Sequence, residues 1–87
     1  MTNQEILDTL TQVLRNVLSD DSIVLTMDTK REEVPNWDSF AYINFIVAVE
    51  ITFGVKFGVA EVESFQNVGA IVHRISTLVV PAHAHVR

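Results

Sequence analysis

Asp38-Ser39-Phe40-Ala41-Tyr42-Ile43-Asn44-Phe45-Ile46-Val47-Ala48-Val49-Glu50-Ile51-Thr52-Phe53 is an apolar run with a marked beginning and a marked end. Asp38 is a preferred N-cap, because its carboxylate accepts hydrogen bonds from first-turn N–H groups that have no partner within a helix. Ser39 then takes the first helical position. Trp37 and Tyr42 flank the cap at hydrophobic-staple spacing, which fixes the angle at which the preceding chain enters. Gly54 supplies the C-terminal stop. The stretch predicts a helix over 39–53 whose first turn shows a serine hydroxyl to solvent, at a helix end where partial positive charge favours an anion.

The helix has two apolar sides. At about 100° per residue, Tyr42, Phe45, Ile46, Val49 and Phe53 fall in one arc, as a core-facing stripe should. Phe40, Ile43, Val47 and Ile51 form a second arc opposite. A small chain has too few helices to enclose both, so the second arc is expected to face a partner or ligand.

Working outward, Thr2 and Glu5 have capping-box spacing. Ile6, Leu7, Leu10, Val13, Leu14, Val17 and Leu18 recur every three or four residues, which predicts an amphipathic helix over 3–18 ended by Ser19-Asp20-Asp21. The next twenty or so residues lack helical periodicity, but Ile23, Leu25, Met27, Val34 and Trp37 are spaced to pin a long loop onto a core. Pro35 stops any helix before Ser39. After Gly54 there is room for a short helix at 59–63. A last helix follows at 67–79, capped by Asn67 in preference to Ser64, with Val68, Ile71, Val72, Ile75, Leu78 and Val79 as its buried stripe. Gly69 in its first turn weakens it modestly. Pro81 ends it, which leaves residues 1–80 as one domain and 81–87 as a flexible tail.

Composition narrows the function. The chain has 87 residues and no cysteine, so neither a disulfide nor a thiolate metal site is available, and packing alone must hold it together. Hydrophobic content of 48 % with three glycines and two prolines suits a helical bundle and excludes disorder. Asn44, Glu50, Thr52 and Lys56 interrupt the richest apolar stretch, leaving no membrane span of the roughly 20 residues required. The first residues lack the basic region of a signal peptide, so a cytoplasmic location is expected. A net charge of −5 argues against nucleic acid as a partner. That charge lies in residues 1–38, with eight acids against three bases, whereas residues 39–87 balance at three of each.

From Asp38 to Val55 the sequence resembles the central helix of acyl carrier proteins: Asp-Ser, a bulky apolar residue, an apolar helix with a glutamate near its end, then Phe53-Gly54-Val55. Ser64-Phe65-Gln66-Asn67-Val68, followed by Ile71, Val72 and Ile75, is similar to that family's last helix, and the resemblance spans residues 3–79. It implies an all-α bundle of three longer helices and one short one with a long first loop. It also implies a carrier in place of an enzyme. By resemblance, Ser39 bears a covalent 4′-phosphopantetheine whose thiol holds acyl groups as thioesters, and Asp38 helps the phosphopantetheinyl transferase recognise the site and place its metal ion. Phe40, Ile43, Val47, Glu50 and Ile51 are the residues expected to meet the enzymes that load and receive acyl groups. A monomer is expected.

The departures from the family pattern are informative. Phe40 stands where leucine is usual, and Ala41, Asn44 and Ile51 stand where carriers of fatty acid biosynthesis often have acids. A specialised carrier for a polyketide, a peptide or a modified lipid fits this pattern better than the main fatty acid carrier. The alternative is an unmodified helical adaptor working through the second apolar arc, though an adaptor has no need of an exposed hydroxyl at Ser39. Catalysis by Ser39 would need a base, and His73, His83 and His85 are not placed near it by sequence. As metal ligands they lack a carboxylate nearby. Asp20, Asp21, Asp28, Glu32 and Glu33 lack calcium-loop spacing.

Overall fold

Four helices carry the chain, in a computed structural model that describes residues 1–79: α1 (Asn3–Leu18), α2 (Ser39–Phe53), α3 (Val59–Ser64) and α4 (Val68–Leu78). No strand occurs among the described residues, and the expected tail at 81–87 lies outside them. α1 opens as its sequence dictates. The Thr2 hydroxyl accepts the Glu5 N–H at 3.1 Å while the Glu5 carboxylate accepts the Thr2 N–H at 2.7 Å, satisfying two first-turn donors reciprocally. The backbone hydrogen bond holds the Glu5 carboxyl below the usual carboxylate range, with the Thr2 hydroxyl acting in the same direction. α2 ends at Gly54, whose φ of 68° is the left-handed conformation that glycine adopts without a side-chain penalty.

The core lies where α1, α2 and α4 meet. Ile6, Leu10 and Leu14 from α1, Phe45 and Val49 from α2, and Val72 and Ile75 from α4 are completely buried. Tyr42 and Phe53, at the two ends of the α2 stripe, are half-buried. A fully buried aliphatic or aromatic side chain contributes about 1.5–3 kcal/mol, which is how a domain without disulfides reaches useful stability.

The long loop is held to this core at several points. Ile23 and Leu25 are buried, with Met27 and Val34 packed beside them. Arg15 donates to the Ile23 carbonyl at 2.7 Å, tying the start of the loop back to α1. Further along, the carbonyls of Met27 and Thr29 accept the N–H groups of Gly69 and Val68 at 2.7 and 2.8 Å. The loop backbone thereby satisfies two of the orphan donors at the start of α4, and the Asn67 side chain takes a third from Ala70 at 2.9 Å. The loop also contains a short 3₁₀ turn, Arg31–Glu33, that hydrophobic periodicity gave no reason to expect.

Gly69 has a structural reason to be there. A methyl group at this position would approach the Met27 carbonyl oxygen to 2.6 Å, so only glycine lets the loop lie this close to the helix. Alanine gains about 1 kcal/mol in helix propensity, but overpacking against fixed backbone costs about 1–3 kcal/mol and threatens the hydrogen bond as well. Gly69→Ala should therefore be a net loss of about 1–2 kcal/mol. Urea unfolding checks this, with a lowered midpoint at unchanged slope as the expected outcome.

Candidate functional site

The first turn of α2 is built by residues on both sides of Ser39. The Asp38 carboxylate accepts the Ala41 N–H at 2.9 Å, and the Asp38 carbonyl accepts the Tyr42 N–H at 2.8 Å. The N–H groups of Ser39 and Phe40 come before any possible helical acceptor, so they remain available to an anion. Ser39 itself is exposed. Behind it, Trp37 is 4 % exposed and meets the Phe45 ring edge-on at 5.1 Å and the Tyr42 ring at 6.0 Å. The staple read from the spacing of Trp37 and Tyr42 is therefore present, and it fixes the serine to the core.

Arg31 joins the site from the loop. Its guanidinium donates to the Ser39 Oγ at 3.3 Å and lies over the Tyr42 ring at 5.4 Å from the centroid. Sequence reasoning counted Arg31 only as one of the bases in the acidic half. The turn that delivers it is closed by the Glu33 carboxylate, which accepts the Lys30 N–H at 2.8 Å, and by the Val34 N–H, which donates to the Arg31 carbonyl at 3.1 Å. Glutamate three residues after Lys30 was the available signal.

A cleft of about 690 Å³ opens beside the serine, with Arg31, Ile43, Val62, Phe65 and Ile71 among its walls. Tyr42 crosses one side of it, donating its hydroxyl to the Val62 carbonyl at 2.8 Å and so joining α2 to α3. Burial pushes the Tyr42 hydroxyl up from its ordinary pKa, and the neighbouring Arg31 charge partly offsets that. The phenol stays protonated, and the link stays closed, across the neutral range.

The second arc of α2 is open. Phe40 and Ile51 are each 77 % exposed, Ile43 is 53 % and Val47 is 47 %. Glu50 does not stand with them. It is half-buried, and one carboxylate oxygen accepts the Phe57 N–H at 2.8 Å, so it holds the connection between α2 and α3. Glu50, expected among the residues that meet partner enzymes, thus also has a partner within the fold. His73 is exposed on α4, His83 and His85 lie outside the described residues, and no cluster of metal-binding side chains occurs among the described residues. No helix among them is long and apolar enough to cross a membrane.

No protein-family model matches the sequence, and no curated protein does. Five solved chains match it. One of these is a holo acyl carrier protein from Geobacter metallireducens, determined by solution NMR, which superposes with a TM-score of 0.80 at 34% identity. The match covers 93% of this chain and 93% of that one.

The cap can be tested apart from any function. Asp38→Ala should lower stability by about 1 kcal/mol, while Asp38→Asn, which keeps an acceptor oxygen, should lose much less. Thermal unfolding of the two variants beside the parent protein reads the difference.

Proposed function

The chain belongs to the acyl carrier protein family, and from that premise we propose that Ser39 is the attachment point of a phosphopantetheine arm on a specialised acyl carrier. As a member of this family the protein is a carrier and not an enzyme. The observation that supports the assignment is the setting of the Ser39 hydroxyl. It is exposed on the first turn of α2, beside a guanidinium at 3.3 Å and at the mouth of a cleft.

These residues fit such a group. The phosphate would be held by Arg31 and by the N–H groups of Ser39 and Phe40, where a helix end already favours negative charge. When bound, the arm supplies the thiol that a chain without cysteine lacks, and hence the means of holding acyl groups as thioesters. The protein's own residues do the rest. Asp38 fixes the turn that presents the hydroxyl, Tyr42 keeps α2 joined to α3 beside the cleft, and the apolar part of the cleft wall, with Ile43, Val62, Phe65 and Ile71, offers shelter from water to a hydrocarbon cargo. Ser39→Ala should abolish the gain of an arm during co-expression with a broad-specificity phosphopantetheinyl transferase, as read by intact mass. Its circular dichroism should match the parent's, because an exposed first-turn hydroxyl contributes little to stability.

The partner enzymes are assigned to the open arc of α2. Phe40, Ile43, Val47 and Ile51 present apolar surface on the helix that begins at the serine, and no acid stands among them. Carriers steered by a row of acids lose partner affinity steeply as salt rises. Here contact rests on apolar burial, and covering what Ile43, Val47 and Ile51 still expose contributes roughly 3–5 kcal/mol before association costs. Dedicated partners with an apolar patch follow, in a polyketide, peptide or modified-lipid pathway in preference to the main pathway of fatty acid biosynthesis. A cytoplasmic monomer that forms such contacts transiently is consistent with the small size of the patch. An unmodified adaptor would use the same face, and the loading assay separates the two.

Val47→Glu or Ile43→Glu should reduce transfer to the cognate acyl-transferring enzyme by about 10–100-fold, equivalent to losing one buried aliphatic contact. Salt between low and moderate concentration should change the parent's rate little. Glu50→Ala should instead appear in thermal unfolding, through the loosened link to Phe57. Normal transfer by a folded Val47→Glu protein, or a rate that collapses with salt, would count against apolar docking.

A further inference from the structure

We infer that Arg31 is a phosphate clamp, which grips the phosphodiester at Ser39 and so fixes the direction in which the arm leaves the protein. The inference rests on Ser39 being the attachment point, and it concerns a residue outside the Asp-Ser motif. Three observations carry it. The Arg31 guanidinium already reaches the Ser39 Oγ, the atom that would become the ester oxygen, at 3.3 Å. Its partner there is a neutral hydroxyl at long range, and no carboxylate of the described residues is within ion-pairing distance of it, the ion pair among those residues being Arg74 with Glu61. Its Cζ lies over the Tyr42 ring, itself tied to the Val62 carbonyl, so the guanidinium stands beside Ser39 before any anion arrives.

An unpaired guanidinium with most of its five donors free is matched in shape and charge to a phosphate, which it binds through two parallel charge-assisted hydrogen bonds. The non-bridging oxygens of a phosphodiester lie two bonds beyond the ester oxygen that Arg31 already touches. Lysine would supply the charge without the fork. The charge matters locally because Glu32 and Glu63 line the same cleft, with Lys30 as its other base. Because Arg31 and Ile43 both line the cleft, a phosphate pinned between Arg31 and the first turn of α2 sets the arm's starting direction along that cleft in place of bulk solvent.

The test uses the whole chain, apo and loaded, with intact mass reporting the loading. In the unmutated protein the side-chain Nε–Hε resonance of Arg31 should move on loading and its exchange with water should slow severalfold, while those of Arg15 and Arg74 stay in place. Replacing Arg31 should shift the phosphorus-31 resonance of the loaded protein toward that of a short phosphopantetheinylated peptide. Arg31→Gln should show this almost fully and Arg31→Lys partly. Lys56→Ala, which removes an exposed charge beyond the far end of α2, should not show it. A loaded protein whose Arg31 resonance is unchanged from the apo form overturns the clamp while leaving Ser39 as the attachment point. Failure of the unmutated chain to gain an arm overturns the attachment and the clamp together. The first measurement needs no variant, so misfolding of Arg31→Gln cannot imitate either outcome.

Discussion

Everything around Ser39 depends on two backbone hydrogen bonds, from the N–H groups of Val68 and Gly69 to the carbonyls of Thr29 and Met27. A loop of twenty residues between two helices would ordinarily lose too much chain entropy to stay in one place. Here it is caught by donors that the start of α4 must satisfy in any case, so one set of hydrogen bonds caps a helix and anchors a loop. The 3₁₀ turn follows directly after this anchor, and the buried Trp37 fixes the loop's other end. Arg31 therefore approaches Ser39 on a segment restrained from both sides. The absent side chain of Gly69 is what lets the two backbones come that close.

The helices were legible because each has its own punctuation. Thr2 with Glu5, Asp38 and Asn67 act as caps where their sequence positions place them, and Gly54 takes up the left-handed conformation expected of a stop. The two arcs of α2 were legible for a similar reason, since helical period alone separates Phe45 and Val49 from Val47 and Ile51. Contacts that join distant segments left no such trace. Arg31 and Ser39 are eight residues apart, and the turn between them is set by Glu33 reaching back to Lys30 and by docking onto α4, neither of which has a period. The internal partner of Glu50 left no trace for the same reason. The glutamate's place on α2 gives its direction from the helix axis, but not the unsatisfied Phe57 N–H that claims its carboxylate.

The charge pattern acquires a spatial meaning in the fold. α2 offers solvent an apolar surface with no acid in its first turn, and the site's cation comes from the otherwise acidic first half of the chain. In the proposed reading, the loop would lend the phosphate a side-chain cation, and the open arc of α2 would meet the partner.

Trp37 is the chain's single tryptophan, 4 % exposed, edge-on to Phe45 and part of the cleft wall, with an indole N–H that has no hydrogen-bond partner among the described residues. An indole in so apolar a setting emits at short wavelength, and its emission shifts when polar groups or water reach the ring. The protein thus contains its own label-free optical probe of the cleft wall, which an occupant of the cleft would perturb.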